Sequence, residues 1–554
     1  MKVETIGGKI LAVTIIVCSL WTVTATGETN TYKFDPNQST VVRSFLTSDT
    51  YTLIGAFQLT FDANSGSFDW VDATFSDDPN LQTGDLRELF YMDELVGDVV
   101  NDTTIEFEFP PGHPLLQSYD IHITLVFQNG QVRLTGQRSP LMVGEPGFTL
   151  DAVANVVTIY YVDAVNGDDN NDGLSPETAF STIQKGIDSA QNGDLAIVLP
   201  GTYTGPGNRN IDFKGKAITV RSNNGPNTCI VDCEAQGRGF YFHTGENADS
   251  VLEGLTIMNG SIQNMGAGIF CAGASPSIRS CVIRNCSILG TGAGGGISCD
   301  GGGPAIINCT IIDNTALEGG GIYLLNCSAM INTCTISRNG NYYSLGGGIY
   351  CRDSSPTISD CTVTENDGDN GGGGMYFKNS SPSITDCTIT ENYGGNGGGG
   401  MYCEYSSLSI TDCNFARNEA DYGGGGGIMC TDSNAVISRC TFSENGTDAD
   451  YSDGGGAIHL VRTGGTVASC SFIDNETIGG AGAGIFCDDQ SSPVISNCSF
   501  VSHRDDVVTC SDGSNPIIRD CSFTANWGTP IDISGSTPTV SHCEIVDNYM
   551  MGFE

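Results

Sequence analysis

From Pro356 onward, apolar and polar positions recur in one fixed order. Pro356-Thr-Ile-Ser-Asp-Cys361-Thr-Val-Thr-Glu-Asn366 is repeated as Pro382-Ser-Ile-Thr-Asp-Cys387-Thr-Ile-Thr-Glu-Asn392. Leu408 to Asn418 and Ala435 to Asn445 follow the same order around Cys413 and Cys440. Within a block the period is two, so Cys361 and Val363 point one way while Thr362 and Thr364 point the other. The pattern predicts short strands, each with one buried side.

The block itself recurs. Its cysteine stands at 281, 309, 334, 361, 387, 413, 440, 470, 498, 521 and 543, so 262 residues are covered in ten steps of mean length 26.2. Gly254-Leu-Thr-Ile-Met-Asn259 adds an earlier copy with Gly in the cysteine position. A unit this short cannot bury its apolar side alone, and stacking identical units does so. The expected fold is all-β, a right-handed parallel β-helix solenoid. A slip of one residue would put Thr inside and Val outside, so the register is strongly specified. An Asn lies five residues after each cysteine except where Cys286 and His503 stand. Stacked Asn amides satisfy one another and the turn carbonyls, which makes them structural. Gly runs precede an apolar residue in each unit, as in Gly346-Gly-Gly-Ile349 and Gly371-Gly-Gly-Gly-Met375, where a tight corner or close backbone approach is expected.

Upstream the pattern changes. Residues 28–155 contain no cysteine and alternate as Phe57, Leu59, Phe61 and as Ile121, Ile123, Leu125, Phe127. The latter run faces Val132 and Leu134 across Asn129-Gly130, a tight-hairpin signal. An antiparallel β domain, sandwich or barrel, is expected there. Residues 160–205 carry Tyr160-Tyr-Val-Asp163, the turn Asn166-Gly-Asp-Asp169, a helical spacing at Ile183, Ile187 and Ala190, and the apolar strand Leu195–Leu199. This stretch resembles the amino-terminal cap of pectate-lyase-like β-helix proteins, especially the family nine polysaccharide lyases. The resemblance implies a short helix covering the open end of the first coil, with repeats running over 206–554. The Gly-Gly-Gly-Ile elements are also similar to the repeats of chlamydial polymorphic outer-membrane proteins.

Charge and cysteine usage narrow the partners. Residues 1–25 read as a secretory signal, with Lys2 and Lys9, an apolar stretch Ile10 to Val23 and a small-residue cleavage site at Ala25. Without it the net charge moves from −41 to −42, since two Lys and one Glu leave. That balance excludes nucleic acid and anionic membrane as partners and disfavours unaided binding of acidic sugars. No later run of 18 apolar residues offers a transmembrane segment. The chain is expected to be secreted or displayed at a cell surface, where disulfides are permitted. Eleven cysteines form the ladder above, and 271, 299, 351, 403, 430, 487 and 510 form a second one. Buried thiols and a partly disulfide-bonded stack both fit, since one coil spacing lies within the usual disulfide window.

Candidate chemistry sits at three places. Asp168, Asn170 and Asp172 match the first half of a calcium loop, although Ala179 stands where the bidentate Glu belongs. Arg352, Lys378 and Glu404 occupy one outward position on consecutive coils. The lyase resemblance implies calcium and a lysine base, and Lys378 is the only lysine after Lys216. The loops before the Gly runs carry Tyr343, Tyr393, Tyr422 and Tyr451 with Asp367, Asp369, Asp421, Asp448, Asp450 and Asp453. Aromatic faces with carboxylates suit sugar, through stacking and acceptors for hydroxyls. The expected function is a scaffold presenting a long face to extracellular polysaccharide or cell-surface material. A calcium-dependent polysaccharide lyase and a purely structural envelope component are the alternatives.

Overall fold

The computed structural model describes residues 157–421, 424–448, 454–478 and 482–549, and of residues 1–156 only the course of ten strands. Two compact units divide at residues 159 and 160. In the first, ten strands pair antiparallel in one sheet, and Tyr119–Gln128 pairs with Gln131–Pro140.

The second unit is a parallel β-solenoid. Its coils stack into three long sheets of 15, 14 and 13 strands. One coil shows the plan. Met375–Lys378 belongs to the third sheet, Ser383–Thr385 to the first and Thr388–Thr390 to the second. Each strand pairs in register with its equivalents one coil away, so Ile358, Ile384 and Ile410 align, as do Val363, Ile389 and Phe415. From Phe415 the second sheet stacks Phe442, Phe472, Phe500 and Phe523, with ring centroids 4.7 to 5.0 Å apart.

Three corners close a regular coil, each marked by a residue in the left-handed region. In this coil they are Asn379, Asp386 and Glu391, with φ of 49°, 52° and 56°. Glycine is expected at a tight corner or a close backbone approach; in this coil the corners are polar residues whose side chains project into water, whereas other coils use Gly254, Gly273 or Gly301 there. The residue after each corner turns inward and is small and hydrogen-bonding, which gives three ladders. Ser380 N donates to Ser406 Oγ, and Ser354 N to Ser380 Oγ. Cys334 N donates to Cys361 Sγ at 3.4 Å, and the Cys361 thiol donates to the Ser359 carbonyl. Asn392 N and Nδ2 both donate to Asn418 Oδ1. The two exceptions in the Asn position join this ladder too: Cys286 N donates to Asn314 Oδ1 and His503 N to Asn526 Oδ1. Every described cysteine is a thiol rather than a disulfide partner.

The Gly runs serve close approach more than corners. A Cβ on Gly374 would come within 2.5 Å of the Gly400 carbonyl of the next coil. Gly346, at φ of 63°, combines both roles. The helix Ile183–Ser189 buries Ile183 and Ile187 in the same continuous core as the coils, and Thr182 Oγ1 caps its start by accepting from Lys185 N. Among the described residues no helix is long and apolar enough to cross a membrane.

Candidate functional site

The outward side of the third sheet carries the polar row singled out in the sequence. Ile349–Arg352, Met375–Lys378 and Met401–Glu404 pair so that Arg352, Lys378 and Glu404 follow one another along the solenoid axis. Two residues earlier in each strand, Tyr350, Tyr376 and Tyr402 also point outward, continuing Tyr323. Consecutive rings lie 5.5, 4.9 and 4.8 Å apart.

Tyr323, Tyr350 and Tyr376 are nevertheless buried, and Tyr402 is half-buried against them. The chain that returns toward each Gly run folds over them, so that Ala293 and Leu345 pack on Tyr323, Tyr350 and Tyr376 as a second small core. A Cβ on Gly371 would stand 3.1 Å from the Tyr376 ring, so glycine lets the covering chain approach. Burial and the carboxylate of Glu318 push the Tyr323 hydroxyl up to about 12. The Tyr376 hydroxyl donates to Glu404 Oε2 at 2.7 Å, and Lys378 Nζ lies 2.9 Å from the same oxygen. Burial and then that carboxylate raise Tyr376 well above the ordinary phenol range.

This arrangement constrains the chemistry. Lys378 Nζ is already engaged by the Glu404 carboxylate, at 2.9 Å, rather than left free on the sheet. Lys378, Glu404 and the Tyr376 hydroxyl form a linked set of donors and acceptors, suited to holding hydroxyl-bearing ligands. Exposed rings flank it in sequence on either side of the strand position: Tyr342 and Tyr343 precede Ile349, and Tyr405 follows Glu404.

The tyrosine loops divide. Tyr343 is exposed and meets Tyr342 edge-on at 5.3 Å. Tyr393 is half-buried, and its hydroxyl donates to the Asp421 carboxylate. Tyr422 and Tyr451, with Asp450, Asp453 and the side chain of Asp448, lie outside the described residues. The segments after the Asn ladder are not plain loops. Gly340–Asn341, Asp367–Gly368, Tyr393–Gly394, Glu419–Asp421, Gly446–Asp448 and Glu476–Ile478 pair as a fourth, short parallel sheet. The Asn ladder fixes the coil spacing, which brings the residues just beyond it within pairing distance. Along this edge Asp367 Oδ1 and Asp369 Oδ1 are buried without a hydrogen-bond partner. Burial raises both carboxyl groups, helped by Asp369 beside the first and Asp421 beside the second.

The calcium-like stretch is a network of polar turns. Asp168 Oδ1 accepts from Asn170 N and Nδ2, at 2.9 and 2.8 Å. Asp172 Oδ1 accepts from Leu174 N and Thr178 Oγ1. The Asn170 amide thus presents its donor, not its oxygen, to Asp168. Among the described residues no group of three or more His, Cys, Asp or Glu side chains is placed to hold a metal. The Asp168, Asn170 and Asp172 side chains are taken up by these turns, an arrangement that does not fit a calcium ion.

One feature escaped the sequence reading. Arg238, Tyr241 and Phe270 line a cleft of about 390 Å³ on the early coils. Its sequence signal is the shared outward position of Tyr241 and Phe270 on neighbouring strands, which precedes the regular cysteine repeats and so falls outside their alignment.

The family model described as "Right handed beta helix region" matches residues 295–476 and 452–554. No curated protein matches the chain. Among solved structures, a pectate lyase, Pel9A, is 15% identical, with 58% of this chain and 76% of that one covered and a TM-score of 0.34. The GH136 lacto-N-biosidase from Eubacterium ramulus is 12% identical, with 70% and 68% covered and a TM-score of 0.32. The catalytic domain of a GH87 alpha-1,3-glucanase is 11% identical, with 94% and 91% covered and a TM-score of 0.31. Such distant likenesses assign no activity to this chain. With that family match, the stacked parallel sheets make the described residues between 160 and 549 a right-handed parallel β-helix.

Proposed function

We propose that this β-helix is an exported scaffold that binds polysaccharide along the outer side of its third sheet, without cleaving it. The observation that carries the reading is the linked set of Lys378, Glu404 and Tyr376, set in an axial row with Arg352 and accompanied by the exposed rings of Tyr343 and Tyr405. Donors and acceptors that repeat at the strand spacing suit a long polar chain better than one compact substrate. The exposed rings of Tyr343 and Tyr405, in segments that lead into and out of these strands, offer the kind of stacking surface that sugar rings use.

The test is affinity electrophoresis of the full chain through gels containing pectate, alginate, glycosaminoglycans or neutral glucans. Product absorbance in the ultraviolet is followed in parallel, with and without calcium. The reading expects retardation by at least one polymer, lost in Tyr343→Ala/Tyr405→Ala, with a flat absorbance trace. Calcium-dependent absorbance that disappears in Lys378→Ala would replace it with a lyase. Absence of both retention and product would leave a structural envelope component.

A further inference from the structure

Among the described residues, Arg238 lacks the ion pair that several arginines of the regular coils make. Arg338, Arg417, Arg439 and Arg462 each reach a carboxylate on a neighbouring coil. Arg238 is only 8% exposed, its Nε is buried without a hydrogen-bond partner, and among the described residues no carboxylate pairs with its guanidinium. A buried charge without a counter-ion is costly and calls for a reason.

Its backbone is held firmly. Arg238 N donates to Asn210 Oδ1 at 3.0 Å, and the Arg238 carbonyl accepts from Asn210 N at 2.7 Å. Gly237 beside it has φ of 125°, and a Cβ there would come within 2.7 Å of Asn210 Nδ2. A side chain at position 237 would push the strand entrance away from Asn210. The guanidinium carbon lies 4.5 Å from the Tyr241 ring centroid and 5.0 Å from that of Phe270. Those two rings are nearly parallel, 6° apart, and stack in one aromatic ledge with centroids 5.4 Å apart, while His243 stacks on Tyr241 at 3.9 Å. Ledge and guanidinium open into the cleft of about 390 Å³, whose remaining wall includes Asn210, Asn264 and Met265.

We infer that this cleft binds a small ligand carrying a carboxylate on a ring with an apolar face. The guanidinium takes the carboxylate through paired N–H donors, a geometry that Lys cannot reproduce. The Tyr241–Phe270 ledge takes the ring face, and the Asn210 and Asn264 amides reach its polar substituents. The acidic surface of the protein does not prevent this, because salt screens exposed charges beyond about 8–10 Å. The inference stands apart from the polysaccharide reading, since the cleft is built from coils that precede Arg352, Lys378 and Glu404.

Isothermal titration of the full chain with four probes tests it: D-glucuronate, benzoate, acetate and D-glucose. One ring-bearing acid is expected to bind at least tenfold more tightly than acetate or D-glucose, and which acid does so distinguishes a sugar from an aromatic ligand. Arg238→Gln should weaken that binding by roughly tenfold to a hundredfold. Arg238→Lys keeps the charge and guards against a folding defect; it should weaken binding too, with an unchanged melting temperature. Binding of neither ring-bearing acid, equal binding of D-glucose or acetate, or unaltered affinity in Arg238→Lys would each overturn the inference. Retention of polysaccharide in gels is a separate readout, so either conclusion can fail without the other.

Discussion

Replacing Asn418 by alanine should open the solenoid at its middle. Asn418 is fully buried and makes four side-chain hydrogen bonds. Its Oδ1 accepts from Asn392 N and Nδ2, at 3.1 and 2.9 Å. Its Nδ2 donates to the Ile389 carbonyl and to Asn445 Oδ1, at 2.8 and 2.9 Å. Alanine leaves the buried Asn392 N–H without an acceptor, which costs about 1–3 kcal/mol, and forfeits the other bonds at about 0.5–1.5 kcal/mol each. Allowing for some relaxation, the loss comes to roughly 3–6 kcal/mol. Asn548 offers the matched control. It makes the same kind of bonds to Asn526 and Phe523, but it is half-buried, so water can replace much of what is lost. Because each coil contacts only its neighbours, the damage should remain local before it spreads. The assay is urea unfolding followed by circular dichroism, with hydrogen exchange mapped across residues 366–445. Asn418→Ala should lower the midpoint strongly and expose the coils around Asn392, whereas Asn548→Ala should do neither. Equal midpoints for the two variants would refute the reasoning, since burial of the ladder would then not matter.

Two further outcomes follow from the same geometry. Asp367 and Asp369 have carboxyl groups raised above the ordinary value of about 3.9, chiefly by burial, so the folded edge binds their protons more tightly than the unfolded chain does. Stability of that edge should therefore rise as pH falls from neutral through the raised values, with the gain complete below about 4. Asp412 and Asp432 behave oppositely: hydrogen bonds from Arg439 and Arg462 lower them, and their contribution is lost only as pH falls through those depressed values. Hydrogen exchange over residues 367–371, corrected for intrinsic rates, should slow as pH is lowered from neutral toward about 4, and Asp369→Asn should flatten the trend. An unchanged rate in the unaltered protein would count against the buried acids. Thiol chemistry gives the last outcome. Burial raises the Cys286 thiol to about 12 and lifts that of Cys351 well above the ordinary thiol range. A disulfide-type thiol reagent at pH 8 should leave the buried ladder thiols unlabelled, the half-buried Cys543 excepted, and react fully once the chain is denatured; a chain that stays unreactive after denaturation would instead be disulfide-bonded.

The repeat alone determined the solenoid. A period of 26.2 with Cys, Ile and Asn at fixed offsets admits one register, because any slip would trade buried Val for Thr. The inward places of Cys361, Val363 and Asn366 follow from alternation within a single strand, a strictly local property. The serine ladder through Ser354, Ser380 and Ser406 could have been read from the same offsets. Other features are not local. Tyr350 and Tyr376 occupy outward positions that should face water, yet they are buried because a loop from the same coil folds back over them. Tyr393, which reads as a free stacking ring, instead gives its hydroxyl to Asp421 of the next coil. Arg238 becomes a site only where its guanidinium meets Tyr241 and Phe270 on two successive strands. Periodicity fixes which way a side chain points, and so the sequence determines the solenoid. What covers that side chain, and what stands beside it, depends on irregular loops and neighbouring coils, and these only the tertiary structure decides.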